Sequence, residues 1–130
     1  MSDDSSDRAR STAITQLKAL GLSTYAARTF VALVSLGEGT AQDVSDVAEV
    51  PRTRVYDAAD ELRERGLVDL KQSKPTQYWA ISTETTGRHF KEEYDHRVAE
   101  LTDALGALEP SNASDEQRGV WTVTGRDTVT

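Results

Sequence analysis

Seven consecutive residues, Pro51-Arg52-Thr53-Arg54-Val55-Tyr56-Asp57, put two guanidinium groups, a hydroxyl, a phenol and a carboxylate into the opening of one helix. Proline is tolerated in a first helical turn because its missing N–H would have found no partner there, so the block marks a helix start. A recognition helix works by presenting its N-terminal residues to base edges and phosphates, which gives two arginines at this place a chemical purpose. On the helical wheel Val55, Ala58 or Ala59, and Leu62 form the inward stripe. Thr53 and Asp57 stand opposite, Arg54 and Tyr56 flank them, and Asp60 and Glu64 continue the outer face. Arg54 is expected at a base edge or phosphate, the alternative being an exposed arginine paired with Asp57 or Asp60. Arg52 suits phosphate, and Thr53 suits phosphate or a base edge. Tyr56 either packs at the domain edge or donates its hydroxyl to phosphate. Asp57 beside phosphates is unfavourable unless it orients Arg54 or accepts from cytosine, and orientation is the expected role.

The elements that must hold this helix are legible on both sides of it. Before it, Thr40 can cap a helix from Ala41 to Val47 with Val44 and Val47 inward, and Ala48-Glu49-Val50 is the short connection of a helix-turn-helix. Thr40 with the neighbouring N–H groups offers a phosphate site. Gly37-Glu38-Gly39-Thr40 is not a dinucleotide loop, because Gln42 stands where a third glycine would be and no strand precedes it. After the helix, Gly66 stops it, and Leu67 to Gln72 and Gln77 to Ile81 are strand-length runs joined by Ser73-Lys74-Pro75-Thr76. That hairpin is a wing. Lys71 and Lys74 make its end positive, and Lys74 with Thr76 is expected against backbone or minor groove. Tyr78 and Trp79 alternate faces, so one enters the core and the other lies half exposed.

Upstream, residues 1–9 read as a disordered acidic tail. A first helix follows from Ser11 or Thr12 with Ile14, Leu17 and Leu20 as its stripe, stopped by Gly21. Ser23 caps a second, with Ala26, Phe30, Leu33 and Val34 on one face up to Leu36-Gly37. Residues 10–82 therefore form one winged helix-turn-helix domain. Thr83 caps a last helix, where Tyr94, Val98, Leu101, Leu105 and Leu108 recur on alternating three- and four-residue steps. That is the seam of a two-helix coiled coil, so residues 83–108 are expected to dimerise the chain; packing back onto its own domain is the alternative. Residues 109–118 read as a linker. Gly119 to Arg126 reads as a strand with no later partner, the start of a further domain that is truncated or absent within 119–130.

Composition limits the partners. The chain has 130 residues and a formal charge of −7, from 22 acidic against 15 basic residues, so any nucleic-acid footprint must be local. Eleven Arg against four Lys, and three Asp among the first seven residues, suggest a proteome adapted to concentrated salt, the alternative being an ordinary acidic cytosolic protein. Phosphate contacts weaken steeply with salt, so in such a cytoplasm specificity must lean on base edges and shape. Without cysteine there are no disulfides, thiolate metal sites or cysteine nucleophiles. The polar, acidic N-terminus is the reverse of a secretory leader and no apolar run is long enough to span a bilayer, so a cytoplasmic protein is expected. His89, Glu93 and His96 share a side of the last helix, but the histidines are roughly 10 Å apart by helical rise, too far for one ion. No metal, cofactor or catalytic constellation is expected, and so no enzyme.

Leu20-Gly21-Leu22-Ser23-Thr24-Tyr25-Ala26-Ala27-Arg28, the Pro51 to Asp57 block, Leu62-Arg63-Glu64-Arg65-Gly66-Leu67-Val68 and Gly119-Val120-Trp121 resemble the TrmB family of archaeal transcriptional regulators. The resemblance spans about residues 14 to 126, with Pro-Arg-x-Arg-Val-Tyr-Asp its specific part. It implies a dimeric winged helix with a coiled-coil helix that binds promoter DNA, often for sugar or metabolic genes. Larger members carry a C-terminal sensor domain, which the Trp121 strand would begin, so no effector can be assigned. The expected partners are double-stranded operator DNA and a second copy of the chain. The alternative from another class is a winged-helix protein-interaction module of the transcription machinery, favoured by the acidic outer face at Asp57, Asp60 and Glu64.

Overall fold

A computed structural model of the chain describes residues 2–110 and orders them as α1 (Ser2–Ala19), α2 (Thr24–Leu36), α3 (Ala41–Ala48), α4 (Arg52–Glu64), β1 (Val68–Lys71), β2 (Gln77–Ala80) and α5 (Thr83–Leu108). This is the expected mainly helical architecture, a winged helix-turn-helix followed by one long helix. The chain divides into two units, Met1–Phe90 and a second that begins at Lys91. Among the described residues no helix is long and apolar enough to cross a membrane.

The helix ends are made by the residue types that favour them. Ser23 accepts the Ala26 N–H at the start of α2. At α3 the Thr40 hydroxyl accepts the Asp43 N–H at 3.1 Å while the Asp43 carboxylate accepts the Thr40 N–H at 3.0 Å, so two orphan donors are satisfied reciprocally. Gly66 turns the chain out of α4 with φ 76°, a left-handed backbone that other residues disfavour. Between α3 and α4, Ser45 Oγ donates to the Val50 carbonyl at 2.7 Å and fixes the tight connection.

The core closes around α2, which packs against α1, α3, α4 and β2. Leu33, Leu62, Leu67, Val44, Val50 and Val55 are fully buried, with Phe30, Ala26, Ala27, Ala58 and Ala59 filling the space between them. The expected stripe of α4 is thus present, with both alanines in it. A polar tie reinforces this packing: the Ser23 N–H and Oγ both donate to the Glu61 carboxylate, at 3.1 and 2.8 Å. Glu61 of α4 therefore lays its negative charge on the positive N-terminal end of α2. Arg65, at the end of α4, donates through Nη2 to the Gly21 carbonyl at 3.2 Å.

The wing pairs Val68 with Ala80, Asp69 with Trp79, Leu70 with Tyr78 and Lys71 with Gln77, antiparallel. Tyr78 is buried and Trp79 half-buried, as strand alternation requires. The hairpin does not end at two strands. Gly39 and Tyr78 exchange backbone hydrogen bonds of 2.9 and 2.8 Å, adding a bridge from the residue just before α3. A Cβ at Gly39 would stand 3.1 Å from Asp43 Cβ and 3.2 Å from a Leu36 methyl, so the close approach favours glycine.

Several boundaries differ from the sequence reading. α1 starts at Ser2 rather than at Ser11 or Thr12, so residues 2–9, expected to be irregular, are helical, and residues 4–9 are exposed; Asp4 in its first turn complements the positive helix end. Pro51 is the N-cap of α4 rather than a residue inside its first turn, with ψ 138° and its carbonyl accepting from Arg54 and Val55. Ser82, not Thr83, caps α5, its hydroxyl accepting the Thr85 N–H. Leu20 and Val34 are exposed instead of lying in the core; both line a shallow apolar depression with Leu17, Phe30, Gly87 and Phe90. The strand expected at Gly119 to Arg126 and nearly all of the linker lie outside the described residues.

Glu61→Ala strips the acceptor from two Ser23 donors, and we expect it to lower unfolding stability by about 1–2 kcal/mol in urea titration, with Glu61→Gln costing less. Tyr78 gives a second expectation. Burial pushes its phenol above the ordinary 10.0, helped by the negative charges of the Asp60 carboxylate and, once ionised, the Tyr56 phenolate, and opposed by the Arg63 guanidinium. Above pH 10 the unfolded chain then loses this proton more readily than the folded one. Stability contributed by the neutral phenol is complete below pH 10 and is lost as pH rises through the raised value. Tyr78→Phe should flatten that alkaline fall in a thermal-melt series at increasing pH.

Candidate nucleic-acid interface

The start of α3, the first two turns of α4 and the wing tip converge on one groove of about 480 Å³, whose lining includes Thr40, Gln42, Arg52, Tyr56, Lys74 and Thr76. Thr40, Arg52, Tyr56, Lys74 and Thr76 are all DNA-contact candidates on sequence grounds, and the fold brings them to a single concave face. Thr53 and Arg54 lie outside it.

The capped turn of α3 positions the first wall. Thr40 and Asp43 have already satisfied each other's N–H groups, so the phosphate site expected at this helix end already holds a carboxylate. What Thr40 can still offer an anion is its hydroxyl proton. On the second wall, Arg52 is held at two points: Nε donates to Tyr56 Oη at 3.3 Å, and Nη1 donates to Gln42 Oε1 at 3.5 Å. Gln42 in turn donates to Asp46 at 2.9 Å. A guanidinium held this way still has N–H donors to spare on a residue that lines the groove, and its planar fork suits phosphate. Tyr56 is exposed, its phenol serving as acceptor for Arg52.

The third wall is the wing. Ser73 Oγ donates to the Pro75 carbonyl at 2.7 Å and sets the shape of the tip. Lys74 is exposed there and makes no hydrogen bond or ion pair among the described residues, so its ammonium is available to an anion. Thr76 is half-buried at the base of the tip.

Arg54 takes a different course. Its guanidinium lies 5.9 Å from the centre of the Tyr25 ring, a cation–π arrangement with the beginning of α2. Asp57 therefore does not orient Arg54, and no ion pair with Asp57 or Asp60 forms; both carboxylates are exposed on the outer face of α4. The sequence reading missed Gln42 and Tyr25. Gln42 carries a faint signal, the second position of a capped helix one turn from a bend. Tyr25 carries none, because its partner is 29 residues further along the chain.

The family model described as sugar-specific transcriptional regulator TrmB matches residues 17–84. The chain is 28% identical over 110 residues to the HTH-type sugar sensing transcriptional regulator TrmBL1 of Pyrococcus furiosus, covering 85% of this chain and 32% of that protein. It is 35% identical over 83 residues to the DNA-binding HTH-type transcriptional repressor TrmBL2 of Thermococcus kodakarensis, covering 64% of this chain and 31% of that protein. This chain thus spans about a third of the length of the curated relatives it matches. Among solved structures, that of TrmBL2, described as an archaeal chromatin protein with a novel mode of DNA binding, superposes with a TM-score of 0.70 at 26% identity, over 85% of this chain and 42% of that one. A possible transcriptional regulator from Methanosarcina mazei shares the fold at a TM-score of 0.61 and 13% identity, over 71% of this chain and 83% of that one. The matched segment runs from the end of α1 into α5 and takes in the whole helix-turn-helix and its wing, so the chain belongs to the TrmB family of winged helix-turn-helix transcriptional regulators.

Proposed function

We propose that this chain regulates transcription by binding specific sites in double-stranded DNA as a homodimer. The observation that carries the reading is the convergence of Arg52, Lys74, Thr40, Tyr56 and Thr76 on one groove of an otherwise acidic molecule. In this reading α4 enters the major groove by its first two turns, Arg52 takes a backbone phosphate, and Lys74 with Thr76 reaches the flanking backbone from the wing. The DNA binding named for TrmBL2, whose structure superposes on this chain, supports it.

The dimer rests on α5. Tyr94, Val98, Leu101, Leu105 and Leu108 are all exposed, and their alternating three- and four-residue spacing is that of a two-stranded seam. Two chains joined there bring two α4 helices to one duplex, with half-sites about one helical turn or a small multiple apart. The skew to arginine and the acidic surplus fit a salt-rich cytoplasm, where base contacts and DNA shape must supply what screened phosphate contacts lose. One observation favours a second reading: the exposed carboxylates of Asp57, Asp60 and Glu64 on α4 suit a basic protein partner.

The two readings separate on mutation. Arg52→Ala and Lys74→Ala should each weaken binding to selected genomic fragments several-fold in fluorescence anisotropy. Each should also make the log–log salt dependence shallower by about 0.9. If neither variant changes DNA affinity or its salt slope, the groove is not the DNA site. For the dimer, Leu101→Asp combined with Leu105→Asp should convert the sedimentation profile from dimer to monomer with the circular dichroism spectrum retained. A profile that the double variant leaves unchanged would remove α5 as the dimer contact.

A further inference from the structure

Beyond the phosphate contacts of the DNA-binding reading, on which this inference rests, the outer face of α4 carries a second arrangement. Successive helical residues turn by roughly 100°. With Val55, Ala58, Ala59 and Leu62 buried, Thr53 and Asp57 fall on the crest facing directly away from the core, while Arg52 and Arg54 fall roughly 100° to either side. The two arginines are tied down on their own flanks, Arg52 to Tyr56 and Gln42, and Arg54 to the Tyr25 ring. Neither forms a hydrogen bond or ion pair with Asp57. Asp57 is left exposed, with no hydrogen bond or ion pair from any described residue.

We infer that Asp57 is the residue that selects a base, accepting from the N4 amino group of a cytosine, while Arg52 and Arg54 grip phosphates on the two sides of the groove. The dimensions agree: a helix with its side chains is about 10–12 Å across, and the major groove is about 12 Å wide. Cations on opposite flanks of α4 thus meet the two opposing backbones, and the crest meets the base edges. A carboxylate has only acceptors to offer. Guanine presents O6 and N7 there and thymine presents O4, all acceptors, so both repel it. Adenine presents an amino group, but with N7 beside it. Cytosine presents an amino donor without that neighbouring acceptor, and is the base a carboxylate prefers. Because neither arginine neutralises Asp57, its charge also disfavours unrelated sequence, which keeps an already acidic chain off DNA in general.

The test is selection from a randomised duplex pool by the full chain and by Asp57→Ala, Asp57→Asn and Arg54→Ala, with affinities measured on the winning sites. Wild type should return a half-site with one fixed cytosine. Asp57→Ala should equalise the four bases at that position alone, losing roughly five- to hundred-fold discrimination, and should bind unrelated DNA more tightly than wild type. Asp57→Asn should shift the position from cytosine to adenine, since an amide pairs in two places with N6 and N7. Arg54→Ala should leave the preferred sequence unchanged and make the salt dependence shallower by about 0.9. If wild type selects a defined site and the Asp57 variants select the same one, the inference is overturned and DNA binding stands. If wild type enriches no sequence over the starting pool, the reading of specific DNA binding falls, and this inference with it.

Discussion

Two backbone hydrogen bonds between Gly39 and Tyr78 hold the interface together. Four-residue strands in an isolated hairpin are at best marginally stable in water, so β1 and β2 need anchorage elsewhere. Tyr78 provides it in two ways. Its main chain pairs with the residue immediately before α3, and its ring is buried in the core beneath. The wing tip is thereby held beside the capped end of α3 and the first turns of α4. The crowding that a Cβ at Gly39 would meet from Asp43 and Leu36 shows how closely the loop is drawn against α3. Thr40, one residue further on, inherits its place in the groove from that approach.

The electrostatics of the site follow from where its cations are tethered. In a chain carrying −7 overall, a diffuse positive field is unavailable, and attraction to an anion must be local. Arg52 and Arg54 are each held by uncharged partners, a phenol and an amide in one case and an aromatic face in the other. Such tethers restrict the side chain without neutralising it. Pairing with Asp57 or Asp60 would have cancelled the charge that phosphate recognition uses, and left the outer face of α4 close to neutral. The observed arrangement instead separates cations on the flanks from carboxylates on the crest. Exposed surface ion pairs contribute little to stability in any case, so leaving these unformed costs the fold little.

α2 and α4 share the most extensive contact between elements of the described residues. Leu33 and Leu62 are fully buried, and the Glu61 carboxylate closes the exposed end of α2 on the same side. This junction sets the direction in which the N-terminal turn of α4 projects. Further along the chain the apolar residues of α5 from Tyr94 to Leu108 face water, a pattern that a second helix with the same periodicity would cover.

Local chemistry was readable without coordinates. The Ser23 and Thr40 caps, the stops at Gly21 and Gly66, the buried face of α4 and the alternation of Tyr78 and Trp79 each arise within about four residues of chain. A helical or strand period records such contacts directly. The Pro51 to Asp57 block carried both the family resemblance and the first view of the interface for the same reason. Tertiary structure alone decided what reaches across: Glu61 to Ser23, Arg65 to Gly21, Gln42 to Arg52, Tyr25 to Arg54, and Gly39 to Tyr78. Those pairings depend on how helices cross and how far a hairpin leans, quantities set by the summed packing of the core. This is why Arg54 was expected beside Asp57, its neighbour in sequence, and lies instead against a ring on another helix.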